Sequence, residues 1–123
     1  MQENKVNKAD SIIKRINNPS LKEILIFLSS KKILDIAKIV LRGDIEANAK
    51  QEVEESIKKR YQEIHEKFSE LRKKGEDLGV LNFKLMIIPH KINILLATYN
   101  KKDAENLVKR FEEIEKEINF NKK

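Results

Sequence analysis

The chain has 123 residues and a mass of 14.4 kDa, room for one domain of ordinary size. Hydrophobic residues make up 40% and charged residues 37%, enough apolar material for a core under a charged surface, which excludes a disordered tail. With no cysteine, disulfides, thiolate metal sites and cysteine nucleophiles are excluded, and three glycines with two prolines argue against a turn-dense all-β domain.

The net charge is +6 and the pI is near 9.4, compatible with nucleic acid, an anionic surface or an acidic partner. The excess is uneven. Residues 1–43 carry nine basic and four acidic side chains (+5), 44–79 eight and ten (−2), and 80–123 nine and six (+3). The opening MQENKVNKADS is polar where a secretory signal needs an apolar run. The apolar stretch 21–41 is interrupted by six charges from Lys22 to Lys38, so no membrane span is expected and a cytoplasmic location is. The Lys/Glu/Ile-rich usage resembles that of thermophile proteins, a bias that an AT-rich genome also gives.

Apolar residues recur at steps of three and four. Val6, Ala9, Ile13 and Ile16 mark a first helix, ended by Asn17-Asn18-Pro19. Ser20 and Glu23 form a capping box for a second, largely buried helix over 21–42, with Gly43 as a left-handed stop and Asp44 as the cap of a third helix. The stripe Ile45, Ala49, Val53, Ile57, Tyr61, Ile64, Phe68, Leu71 and Leu78 predicts that this third helix is long and spans 45–78, supported by four Glu-to-Lys pairs at i,i+4. Such a helix is roughly 50 Å long, and its overhang calls for later helices or a second copy of the chain. Over 82–98 two patterns compete. Leu81, Leu85, Ile88, Ile92, Leu95 and Tyr99 keep helical phase behind an Asn82 cap, with Pro89 as a kink. The β-branched runs on either side of Pro89-His90-Lys91 fit a hairpin instead. The helix is preferred because its phase survives the proline. Asn100 and Asp103 then open a last helix along Ala104, Leu107, Phe111, Ile114 and Ile118.

Candidate chemistry is sparse. Arg60 and His65 have the arginine–four residues–histidine spacing that resembles HEPN-type ribonucleases, in which the arginine would stabilise phosphate charge and the histidine would move a proton. Tyr61 departs from the polar residue usual after that arginine, and i,i+5 positions lie about 140° apart on a helix. No His/Asp/Glu set has metal-ligand spacing, no glycine-rich phosphate loop is present and no cofactor is implied. The basic clusters are Lys31-Lys32, Lys58-Lys59-Arg60, Arg72-Lys73-Lys74, Lys101-Lys102 and Lys109-Arg110. Arg60, Lys67 and Lys74 recur every seven residues, as a row tracking a phosphate backbone would, or as the solvated flank of a coiled coil, with Glu63 and Glu70 between them.

The pattern therefore predicts an all-α, single-domain bundle of about five helices with coiled-coil-like packing and one long central helix. The expected function is non-enzymatic: an interaction or assembly subunit, as a homodimer or within a larger assembly, with nucleic acid (RNA or DNA) as a partner for its basic surface. The apolar seam Ile57, Tyr61, Ile64, Phe68 and Leu71 is the expected partner face. Two alternatives remain: a DNA-binding winged helix with its wing at 82–98, and the ribonuclease using Arg60 and His65.

Overall fold

The computed structural model describes residues 2–75 and 78–121, with side chains from 8 to 75 and from 78 to 120. The protein is an all-α helical bundle: α1 (Gln2–Arg15), α2 (Pro19–Ser30), a 3-10 turn (Ile36–Lys38), α3 (Ile45–Lys73), α4 (Gly79–Thr98) and α5 (Lys101–Asn121), with no strand among the described residues. The chain divides into two compact units. One is Met1–Ile57 with Tyr99–Lys101; the other is Lys58–Thr98 with Lys102–Lys123.

In the first unit, α1 packs on the 3-10 turn and buries Ile12 and Ile16. Ile16 of the expected stripe is buried, but Ile13 is only half-buried and Ile12 takes its place in the core; Val6 lies outside the described side chains. The start of α2 differs from the expected capping box. Asn18 is the cap, its Oδ1 accepting from the Leu21 N–H at 3.2 Å, and Pro19 occupies the first turn, where its missing N–H costs nothing. Ser20 is therefore already helical.

The second helix is also shorter than the predicted 21–42. It stops at Ser30 in a Schellman motif: the Lys32 N–H donates to the Ser29 carbonyl at 3.0 Å and the Ile33 N–H to the Leu28 carbonyl at 3.0 Å, with Lys32 at φ 60°. Beyond the stop runs irregular chain that still buries Leu34, Ile36 and Ile39. It is pinned to the start of α3 by Asn48, whose Nδ2 donates to the carbonyls of Val40 (2.9 Å) and Arg42 (2.7 Å). Gly43 is left-handed, at φ 73°, but stops no helix, because α2 has already ended at Ser30; Asp44 caps α3 as expected. Asp44 Oδ1 accepts from the N–H groups of Glu46 (3.1 Å) and Ala47 (3.2 Å), satisfying two of the orphan donors of α3.

α3 is a single helix, but it ends at Lys73 rather than at 78. Its last turn tightens through bonds from Lys74 N–H to the Leu71 carbonyl and from Gly75 N–H to the Arg72 carbonyl, both 3.1 Å, and Gly75 turns the chain at φ 82°. Residues 76 and 77 of the predicted helix lie outside the described residues. At 29 residues, α3 is roughly 44 Å long.

In the second unit, 82–98 is helix, not hairpin, which removes the wing and with it the winged-helix alternative. Leu81, Leu85, Ile88, Ile92 and Leu95 are all buried along one side of α4, as the helical phase across Pro89 requires. Two details differ from the sequence reading. The helix begins at Gly79, so Asn82 is inside it, its N–H donating to the Leu78 carbonyl at 2.7 Å. Tyr99 falls beyond its end at φ 47°. α5 buries Ala104, Leu107, Phe111, Ile114 and Ile118 as predicted, together with Val108. α4 and α5 run antiparallel, tied at one end by Thr98 Oγ1 donating to Asp103 Oδ2 (2.6 Å) and at the other by the Lys84–Glu117 ion pair.

Candidate interaction surface

The predicted partner seam on α3 is not open. Ile57, Ile64, Phe68 and Leu71 are buried within the chain itself, and Tyr61 is half-buried with its ring tilted against His65 at 6.0 Å between centroids. Whatever a partner would gain from these side chains, the folded chain already gains by removing them from water.

The basic residues are on the surface, but not in one array. Lys31 and Lys32 are exposed at the end of α2, in the first unit, with Lys31 Nζ 6.0 Å from the centre of the Phe27 ring. Lys58, Lys59, Lys67, Arg72, Lys73 and Lys74 are exposed in the second unit. Arg60 is half-buried and pairs with Glu115 of α5 at 3.5 Å. The shallow notch beside Arg60 and Lys67 is lined by four carboxylates: Glu63, Glu66, Glu70 and Glu115. Two cations against four anions make this row a poor track for phosphates. His65 is exposed on α3 and Arg60 is held by Glu115, and that is the geometry of the arginine–histidine pair. Among the described residues, no group of three His, Asp or Glu is placed to hold a metal ion.

The surface that sequence reasoning missed is the outer side of α4. This helix is apolar on two opposite sides. Its inner side is core, yet Val80 (72% exposed), Phe83 (66%) and Met86 (68%) stand in solvent, followed by Ile94 (38%). At about 100° per residue, Val80, Phe83, Met86, Ile87, His90, Ile94 and Ala97 share one face, opposite Leu81, Leu85, Ile88, Ile92 and Leu95. His90, near its middle, is the only ionisable residue on that face; Lys84 and Lys91 lie on the flank turned toward α5. The four exposed apolar side chains present roughly 400–500 Å² of apolar surface, the size of the largest such patch on a typical soluble monomer. By length and composition, Gly79–Thr98 would also pass as a membrane span, with a mean hydropathy of 1.4. The signal was available in the sequence, since a helix hydrophobic on two opposite sides has more apolar surface than one core contact consumes.

The chain matches no protein-family model, no curated protein and no solved structure.

Proposed function

We propose that this protein is a non-enzymatic association subunit that pairs with a second copy of itself through the outer face of α4, and that its basic surface gives it nucleic acid as a further partner. The reading is carried by one observation: three large apolar side chains, each about two-thirds exposed or more, line a face that contains no fixed charge. Leaving them in water forfeits a favourable transfer of about 25 cal/mol per Å², which a partner surface recovers.

Charge selects the occupant. Two copies, each at +6, repel one another over most of their surfaces, and the α4 face is where they can meet without opposing cations. An anionic lipid surface would want a cationic rim there. Of the two lysines beside the strip, Lys84 is neutralised by Glu117 and Lys91 is turned toward Lys109 and Arg110 of α5, so the free cations there face the notch between α4 and α5 rather than the strip. Pairing buries roughly 800–1,000 Å² in total, the low end for specific interfaces, so the dimer should form in the micromolar range. An antiparallel arrangement about the middle of the helix sets Phe83 against Ile94 and Val80 against Ala97 of the other copy, a self-complementary contact of the kind two-fold symmetry requires.

The chain contains no cysteine, so a single introduced one reports the pairing directly. His90→Cys, near the centre, should form an intermolecular disulfide under mild oxidation, and Val80→Cys, at the end, should not. Cross-linking of both variants would mean a parallel pairing, and a chain that sediments as a monomer at about 100 µM would overturn the dimer. Co-sedimentation with anionic vesicles by a monomeric chain would assign the face to lipid instead.

A further inference from the structure

The antiparallel contact between α4 and α5 has three polar rungs. At the first, the Thr98 hydroxyl meets the Asp103 carboxylate; at the third, Lys84 meets Glu117. Both are internally satisfied. The middle rung is different. There Lys91 of α4 faces Asn106, Lys109, Arg110 and Glu113 of α5 across an open notch of about 280 Å³. Its one carboxylate, Glu113, already accepts from Arg110 Nη1 at 3.2 Å. Among the described residues no carboxylate pairs with Lys91 or Lys109. The notch therefore carries three cations against one anion, where the notch on α3 carries two against four.

We infer that this notch is a binding site for a phosphate group. Like charges crowded into one concave place raise each other's energy, and an oxyanion is the ligand that relieves them. The side chains suit a tetrahedral oxyanion. Two ammonium groups act as mobile point charges, the Arg110 guanidinium keeps N–H donors beyond the one given to Glu113, and the Asn106 amide adds a neutral donor. Lys102 and Lys116 lie one heptad before and after Lys109 on α5, a spacing of roughly 10 Å, with Glu105 and Glu112 beside that row, so the excess of cations is confined to the notch itself. The phosphate has two possible sources, a nucleic-acid backbone or a free phosphate compound. The inference rests on the nucleic-acid part of the proposed function only for the first of these, and on none of the α4 outer-face residues.

The test is anisotropy of a labelled single-stranded RNA of about 12 nucleotides at about 50 mM salt, with inorganic phosphate and pyrophosphate as competitors. The double variant Lys91→Gln, Lys109→Gln should weaken binding about tenfold or more and lower the salt slope by about 1.4, two contacts at about 0.7 each. Glu113→Gln should tighten binding, because it removes the competing anion and frees Arg110; this gain guards against a loss caused by misfolding. Lys73→Gln with Lys74→Gln, on α3, should change affinity less than about twofold. RNA binding that is indifferent to the notch variants, or weakened equally by the α3 pair, would overturn the site while leaving a nucleic-acid function standing. Phosphate and pyrophosphate binding seen by titration calorimetry, without RNA binding, would keep the site and assign it to a free phosphate compound. Binding of none of the three probes at low salt would remove both.

Discussion

Tyr99 occupies the two-residue connection between α4 and α5 with φ at 47°, a conformation that costs a bulky L-residue about 1 kcal/mol or more. What holds it there is its side chain. The phenol O–H reaches the Lys50 carbonyl at 3.5 Å, and the Lys50 ammonium stands 5.1 Å from the ring centre, close enough for a cation–π attraction. Burial raises the phenol's pKa above 10.0, and the negative charge of Glu54 raises it further. The phenol is neutral while protonated, so above pH 10.0 the unfolded chain releases this proton before the folded one does. The stability it contributes is complete below that pH and is lost as pH climbs through the higher folded value. Urea midpoints measured from about pH 9 to about pH 11 should therefore fall more steeply for the natural chain than for Tyr99→Phe, the lysines being common to both. Parallel curves would mean that the phenol titrates alike in both states.

At the scale of elements, the end of α2 shows what a sequence conceals. A Schellman stop normally advertises itself with glycine, and here Lys32 takes the left-handed position while apolar residues from Ile33 to Leu41 keep a helical rhythm past it. The extension to Arg42 follows from that rhythm; only backbone geometry reveals the stop. Asp44 and the α5 stripe were legible because each carries an unambiguous chemical mark: a cap oxygen, one apolar face. The ends of α3 and α4 were blurred for the opposite reasons, since Gly75 had to be read as a terminus rather than tolerated, and Asn82 resembles a cap without being one. Of the candidate surface, the sequence exposed the basic clusters but not their carboxylate neighbours from α5. It showed the apolarity of α4 but not which of its sides the fold leaves in water. The strain at position 32 is measurable. Lys32→Gly should stabilise the chain by about 0.5–1 kcal/mol, the relief of the left-handed conformation less the greater entropy of glycine in the unfolded chain. It should appear as a higher urea midpoint at unchanged slope. A lower midpoint would show that side-chain contacts of Lys32 outweigh the strain.

For the whole molecule, the apolar surface is divided unevenly. On α3 the chain's own fold takes the stripe from Ala49 to Leu71, so the helix that looked poised to recruit a partner has its apolar side chains already buried. On α4 the fold takes one side and leaves the other, and a chain at +6 has that uncharged strip as the place where another copy can approach. The pairing proposed above would link stability to concentration, because a dimer favours the folded state by mass action while the unfolded chain gains nothing from it. With a micromolar dissociation constant, raising the protein from near that value to about a hundredfold above it adds about 1.2 kcal/mol per chain, which moves Tm upward by about 5 °C for a chain of this size. Phe83→Glu with Met86→Glu places two carboxylates on the strip without touching the buried side of α4. That variant should keep the helical circular-dichroism spectrum of the natural chain, sediment as a monomer and melt at one temperature across the whole concentration series. If the natural chain melts independently of concentration as well, the outer face of α4 has no second copy to meet, and its exposed side chains must be explained by a partner of different chemistry.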